Sequence, residues 1–315
     1  MIVKAEILWT RKCNLDCQYC NMVQNGKKIK KDLNLWKKGL DNLKKLGCQF
    51  IAIYGAEPLM DFEFLPEFIS YSKEIGMYHT LITNSSVPKF EQQIKILINS
   101  GLNSLTVSFD GKLGNSDKSS LLKSSNAFQA IDFFRHNCPD YRDVAVVFTL
   151  TRLNLFEILD WIKILSKKNI FVFFDLIHGN IGNPGTKCKN YPGIEELLFT
   201  HEHRGVLIDF FLKVKELKKY PEYKIHQSNS FLNQLIQNPE IYLNRAWNCS
   251  KDYSFPAWLT IDTDGTVRAC DDFHIEDSVN DIRFWELDTR YDEAISNLKE
   301  KVGKFCKGCF WNTHF

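Results

Sequence analysis

Val3-Lys4-Ala5-Glu6-Ile7-Leu8-Trp9 runs, after three further residues, into Cys13-Asn14-Leu15-Asp16-Cys17-Gln18-Tyr19-Cys20. The first stretch has the length and apolar content of a strand. The second has C-x3-C-x2-C spacing and reads as a tight loop leaving the strand's carboxyl end. Outward from this point, short β-rich apolar runs alternate with longer segments of helical period, the pattern of a parallel sheet assembled from βαβ units. Further strands are expected at Phe50 to Tyr54, Tyr78 to Ile82, Ser104 to Phe109, Val144 to Thr149 and Ile170 to Asp175. Helices are expected between them, among them Leu33 to Leu46, stopped by Gly47, and Asn154 to Lys168, capped by Asn154. Glycines and prolines from Gly179 to Gly193 mark a loop, after which Ile194 to Tyr220 reads as one long amphipathic helix. A shorter helical piece is expected at Phe231 to Ile241. Trp258 to Thr263 and Thr266 to Cys270 flank Asp264-Gly265, a strong hairpin dipeptide, and a helix follows.

The 315 residues are 44% hydrophobic and 25% charged, ordinary for a globular chain. A formal net charge of +2, with Lys and Arg spread along the sequence, gives no reason to expect a nucleic-acid partner. No apolar run approaches the roughly 18 to 20 residues of a membrane span, and no secretory h-region precedes the first cysteines. No membrane partner is implied, and the cytoplasm is the expected compartment. Ten cysteines in such a chain point to metal ligation or redox chemistry more than to a disulfide framework.

Three thiolates on one loop can hold three irons of a four-iron four-sulfur (4Fe-4S) cluster, leaving the fourth iron open to chemistry. A structural zinc site would be closed by four protein ligands, and no fourth Cys or His lies nearby in sequence. Spacing alone leaves a zinc knuckle or three unrelated thiols as alternatives. The second expected strand ends in Tyr54-Gly55-Ala56-Glu57-Pro58, the third in Ile82-Thr83-Asn84 and the fourth in Val107-Ser108-Phe109-Asp110-Gly111. Polar residues at successive carboxyl ends of parallel strands point into one mouth.

Together these segments resemble the signature of the radical S-adenosylmethionine (SAM) superfamily. Tyr19 is the aromatic residue before the third cysteine, Gly55 to Pro58 stand where the family has Gly-Gly-Glu-Pro, and the next two strand ends match its T-N and V-S-L-D segments. The resemblance covers about residues 3–178 and implies an α/β fold, a partial (β/α)6 barrel. It also implies that Cys13, Cys17 and Cys20 bind a 4Fe-4S cluster whose open iron chelates SAM, and that reductive cleavage gives methionine and a 5'-deoxyadenosyl radical. By the same resemblance Tyr19 lies near the adenine, Gly55, Ala56 and Glu57 receive the SAM amino group, and Ser108 contacts SAM. Thr83, Asn84, Asp110, Thr149 and Leu176 complete the pocket. Ala56 departs from the family's second glycine, and a left-handed backbone at that position would be strained.

Cys249, Gly265 and Cys270 in the spacing C-x15-G-x4-C, followed by Cys306-Lys307-Gly308-Cys309, resemble the auxiliary-cluster region of SPASM and twitch radical SAM enzymes, the shorter twitch form being the better match. Four thiolates can close an auxiliary 4Fe-4S cluster or hold tetrahedral zinc, and spacing does not separate the metals. Cys48 and Cys138 read as core residues, and Cys188 falls in the glycine-rich loop. His201 and His203, at i and i+2, do not face one another on a helix and are not read as a metal pair.

The expected organisation is a core barrel over 1–178, a helical connecting segment over 179–246 and a twitch-like auxiliary-cluster domain over 247–315. Hydrogen abstraction leaves a substrate radical, and a fully ligated second cluster is a ready electron acceptor. Net two-electron oxidation, a dehydrogenation or bond formation, is therefore expected. Asp272, just beyond Cys270, is the expected proton acceptor or substrate contact. A small-molecule substrate is favoured because the first strand begins at residue 3, with no peptide-binding domain before it. A ribosomal-peptide or protein maturase is the alternative within enzymes, and a cluster- or zinc-binding scaffold the alternative outside them. A flavodoxin- or ferredoxin-type electron donor is expected.

Overall fold

The computed structural model describes residues 2, 4–17, 19–20, 22–23, 30–111, 118–177, 194–244, 258–269 and 282–305. Six strands follow one another in space as in sequence: β1 (Lys4–Thr10), β2 (Phe50–Gly55), β3 (Tyr78–Thr83), β4 (Ser104–Ser108), β5 (Asp143–Leu150) and β6 (Phe171–Leu176). Each runs parallel to the next. The crossovers carry α1 (Leu33–Lys45), α2 (Leu65–Glu74), α3 (Phe90–Asn99), α4 (Lys118–Asn137) and α5 (Glu157–Lys167), and α6 (Arg204–Leu217) follows β6. This is the α/β fold expected, a partial (β/α)6 barrel. Its parallel order requires every connection to carry a helix across one face.

Period-two alternation decides which face is which. In β5 and β6 the residues Val144, Val146, Phe148, Val172 and Phe174 are buried, while Ala145, Val147, Thr149, Phe173 and Asp175 are half-buried. The buried series lies under helices: Phe174 meets Phe210 and Phe211 of α6, with ring centroids 6.0 and 6.1 Å apart. The alternate series lines the barrel interior. At α1, Asp32 accepts from the Asn34 and Leu35 amides, and Gly47, at φ +94°, carries the chain away past the Leu46 cap.

The expected hairpin is present as β7 (Trp258–Ile261) and β8 (Val267–Arg268), with Gly265 at φ +84° in its turn. It continues the barrel's own sheet: β7 pairs parallel with the side of β1 opposite β2, and β8 pairs antiparallel with β7. Beyond it, Phe284 inserts into an aromatic group with Trp9, Trp36 and Phe68, 5.2 Å from the Trp36 ring. Gly39 of α1 makes room, since a Cβ there would lie 2.1 Å from the Phe284 ring. Helix α9 (Leu287–Phe305) follows, the last among the described residues. Among the described residues no helix is long and apolar enough to cross a membrane.

Three helical expectations are corrected. Ile194 to Tyr220 is not one helix: short 3-10 turns at Ile194–Glu196 and His201–His203 precede α6. Buried Leu197 and Phe199 tie the chain to the core, Leu197 accepts from the Arg152 amide, and Thr200 starts a new helix through a reciprocal capping box with His203. The piece expected at Phe231 to Ile241 is interrupted at Asn238-Pro239, giving α7 (Asn229–Gln237) and α8 (Glu240–Leu243), because a residue before proline avoids helical geometry. Asn154 does not cap α5, which begins at Glu157 after an N-cap, Phe156, that makes no side-chain capping bond. Its amide is engaged at the strand ends instead, as described below.

Candidate functional site

The cysteine loop leaves β1 at a junction fixed by backbone. The Thr10 carbonyl accepts from the Ala56 amide at 2.9 Å, and the Lys12 carbonyl accepts from the Glu57 amide at 2.9 Å. These bonds draw the end of β2 against the root of the loop. Gly55 is needed for that approach: its φ is +151°, and a Cβ would lie 2.4 Å from the Thr10 carbonyl oxygen. Ala56 is not among the described residues with positive φ, so its departure from glycine introduces no left-handed strain.

Glu57 is the hub of this end of the barrel. It is 0% exposed, and both oxygens of its carboxylate accept from the Thr83 hydroxyl, at 2.9 and 3.0 Å. The Asn84 amide donates to it at 2.7 Å and the Leu59 amide at 3.1 Å. Burial pushes its carboxyl up to about 7, and these donors oppose the shift. Glu57 thereby cross-braces the ends of β2 and β3 through its side chain.

Asn84 carries the brace to the cysteines. Its side-chain amide donates to the Asn14 side-chain oxygen, Oδ1, at 3.0 Å and toward the Cys13 sulfur at 3.6 Å, and the Leu15 amide points at the same sulfur at 3.3 Å. Burial, with Glu57 and Cys20 adding to it, pushes the Cys13 thiol up to about 11 against these two donors. Cys17 is buried, and Cys13 and Cys20 are partly buried. The loop returns at Lys31, whose ammonium lies 4.6 Å from the Trp9 ring and bonds the Asp61 carboxylate.

On the far side, the Tyr19 hydroxyl donates to Asp110 at 2.7 Å, joining the cysteine loop to the end of β4. Asn154, fully buried, accepts from the Thr151 amide at 2.8 Å and donates to the Thr149 and Asp110 carbonyls at 2.9 and 3.3 Å. Ser108 and Thr149 are half-buried on the inward face of their strands. Leu176 is placed differently. It lies in the buried, helix-covered series with Val172 and Phe174, and Asp175 beside it faces inward. Cys249, Cys270, Asp272, Cys306 and Cys309 lie outside the described residues.

Sequence patterns did not single out Asn14, Lys31, Asp61 or Ser85. Ser85 has φ +57° and is buried just after Asn84, held by its amide bond to the Thr83 hydroxyl at 3.1 Å. A left-handed serine at a functional loop is the kind of strain the surroundings must impose.

Residues 7–111 match the family described as the radical SAM superfamily. The chain carries a radical SAM domain. Among curated proteins it is 30% identical over 187 residues to the Fe-coproporphyrin III synthase of Methanosarcina barkeri, covering 57% of this chain and 46% of that protein. It is 31% identical over 106 residues to the PqqA peptide cyclase of Bradyrhizobium diazoefficiens, covering 32% and 27%. These matches span less than half of either relative's length. Among solved structures it is similar to Streptococcus suis SuiB bound to the precursor peptide SuiA, with TM-score 0.70 and 16% identity over 96% of this chain and 67% of that one. Native anSMEcpe with bound AdoMet gives TM-score 0.63 and 17% identity over 97% and 84%. At such identities these two structures speak for the fold.

The cofactors of a radical SAM domain are SAM and a 4Fe-4S cluster. The donor set fits: three thiols on one loop, with N–H groups aimed at the Cys13 sulfur to support its anionic form. Among the described residues no three His, Cys, Asp or Glu side chains converge as a ready-made cage, so the fit rests on ligand chemistry and loop spacing.

Proposed function

We propose that this chain is a radical SAM enzyme in which Cys13, Cys17 and Cys20 hold the cluster and the ends of β2, β3 and β4 orient SAM beside it. The observation that carries the reading is the continuous set of hydrogen bonds from buried Glu57 through Asn84 to Cys13. When bound, cluster and SAM supply a 5'-deoxyadenosyl radical able to take hydrogen from an unactivated C–H bond. The residues of the chain provide order around that chemistry. Gly55, Ala56 and Thr83 sit where the Glu57 brace fixes them, and Tyr19 and Asp110 close the opposite side through their shared bond. Ser108 and Thr149 face inward toward the space that SAM and substrate share.

The reaction we favour is a net two-electron oxidation. The substrate gives up a hydrogen atom and then an electron and a proton. Cys249, Cys270, Cys306 and Cys309 would hold a second 4Fe-4S cluster, which would supply an acceptor for that electron, and Asp272 would accept the proton. A flavodoxin- or ferredoxin-type donor supplies the electron that starts the reaction. For the substrate, two readings have support. The precursor peptide bound by SuiB and the peptide named for the PqqA cyclase favour a peptide, whereas the synthase named for Fe-coproporphyrin III favours a small molecule. A peptide would enter through the mouth, since the outer edge of β6 is already paired with backbone at 224–226: the Lys224 carbonyl accepts from the Val172 amide at 2.7 Å.

The test is anaerobic reconstitution followed by iron, sulfide and 5'-deoxyadenosine analysis. Wild type should form 5'-deoxyadenosine under reduction. The Cys13→Ala, Cys17→Ala, Cys20→Ala triple variant should form none, and retained cleavage there ends the assignment.

A further inference from the structure

Arg11 occupies the residue between the two carbonyls that grip the β2 turn, Thr10 and Lys12, and stands two positions before Cys13. Its side chain points the other way along the sheet. The guanidinium donates to both oxygens of Asp262, each at 3.1 Å, across 251 residues of sequence. Parallel pairing of Ile7 with Ile261 brings Asp262 out beside the carboxyl end of β1. Arg268 of β8 donates to the same carboxylate at 2.5 Å, and the Thr263 amide does so at 2.6 Å. The side chains of Arg11, Asp262 and Arg268 are 15%, 6% and 22% exposed, so the group is largely out of water.

One carboxylate therefore holds two guanidiniums in a partly buried site. A single guanidinium nitrogen of Arg11, Nη2, reaches both carboxylate oxygens, and this charge-assisted contact ties the Arg11 side chain to Asp262. Without the carboxylate, two cations would remain unpaired and would repel each other, which is far less favourable than the intact group. The displacement would fall on the backbone at Arg11, whose neighbours hold the Gly55-Ala56-Glu57 turn and lead into the first cysteine.

We propose that Asp262 is a positioning residue for the SAM site: through Arg11 the hairpin sets the placement of the Cys13 loop and of the β2 turn. The hairpin is then a working part of the SAM site as well as the segment that leads to Cys270. The inference rests on the radical SAM reading given above.

The experiment uses the reconstituted full-length protein and compares Asp262→Asn, Asp262→Glu and Asp264→Asn with wild type. Asp264 lies in the same hairpin but faces Thr266 and Arg283, and serves as the control. Melting and iron content report folding and loading; SAM affinity and the SAM-induced change in the electron paramagnetic resonance spectrum of the reduced cluster report positioning. Asp262→Asn is expected to keep its iron, bind SAM about tenfold more weakly and show an altered SAM-bound spectrum, because a charge-assisted bond is lost. Asp262→Glu should restore part of both, and Asp264→Asn should change neither. If Asp262→Asn lowers the melting temperature yet binds SAM with wild-type affinity and spectrum, its role is structural and the proposal falls. Should that variant not fold, Arg11→Met, which removes the charged donor to Asp262, must show the same weakened binding and altered spectrum, or the proposal falls. A wild-type cluster whose spectrum does not respond to SAM would instead overturn the underlying assignment.

Discussion

At the ends of β2 and β3 the polar side chains are directed at one another, whereas along β5 and β6 the inward residues are half-buried and mostly apolar. Glu57, Thr83 and Asn84 are closed in a hydrogen-bonded set that reaches Asn14 and Cys13. Ala145, Val147 and Phe173 instead form an open wall, with Asp175 at its upper end. On the radical SAM reading proposed above, the difference gives the two sides separate tasks. A cofactor used in every turnover is served by a rigid cradle, because geometry held in advance does not have to be reorganised during reaction. A wall of side chains with few fixed hydrogen bonds can accept a substrate whose shape supplies the remaining contacts.

The sharpest way to break this comparison is at Glu57. Glu57→Ala removes the acceptor for the Thr83 hydroxyl and for the Asn84 and Leu59 amides, leaving buried donors unsatisfied. A loss of roughly 3 kcal/mol in stability is expected from such orphaned groups, together with markedly weaker SAM binding. Glu57→Gln keeps the shape but presents an amide nitrogen to a donor, and should fall between. Chemical denaturation and SAM titration measure both effects. If the alanine variant is as stable as wild type, the end of the barrel is not cross-braced and the contrast with β5 and β6 disappears.

Most of the barrel was legible in the sequence because its cues are local. Strands such as Val144 to Thr149 announce themselves by alternation, and the cysteine loop by contiguous spacing. What escaped was the product of long-range packing. Asn154 read as a helix cap because its neighbours favour one, yet the strand ends offered its amide three backbone partners. Leu176 enters the pocket by the family resemblance alone, whereas the parity of β6 turns it under the helices and leaves Asp175 inward. Ile194 to Tyr220 has helical period throughout, and only the anchoring of Leu197 and Phe199 in the core breaks it. The link from Arg11 to Asp262 has no sequence cue, since it depends on β7 pairing with β1.

The outer surface of the rigid side provides a second test, by pH. His79 of β3 is buried beneath α2, its Nδ1 3.4 Å from the Ser72 hydroxyl, and burial pushes its imidazole down to about 4. The folded state therefore binds this proton less readily than the unfolded chain. Stability from this residue is intact above the ordinary histidine range and is lost as pH falls from about 6.5 toward 4, by roughly 3 kcal/mol in total. Glu57 acts in the opposite sense, because a carboxyl raised to about 7 takes up its proton in the folded state first. The readout is accordingly the difference between wild type and His79→Leu across pH 4 to 7. That difference should shift toward the leucine variant as pH falls, and a flat difference would show that the histidine is free to ionise in the fold.

The smallest effect expected is at Phe173, measured against its neighbour Phe174 on the other face of β6. Phe174 is fully buried against α6 and α7, whereas Phe173 is half-buried on the inward face, with its ring centroid 5.6 Å from that of His226. Phe174→Ala opens a cavity among Phe210, Phe211 and Phe231 and should cost about 3 to 5 kcal/mol. Phe173→Ala removes a ring that already meets the barrel interior, so it should cost about 1 to 2 kcal/mol, the value of partial burial without an enclosed cavity. The two denaturation midpoints, with a common slope, give the difference directly. If the inward wall is the substrate side, Phe173→Ala should also leave SAM affinity near wild type while raising the ratio of 5'-deoxyadenosine formed to product released, because a loosened substrate lets the cleaved cofactor go unused. Equal stability losses at the two positions would mean that the inward face is packed as tightly as the outer one, and that the space assigned to substrate is part of the core.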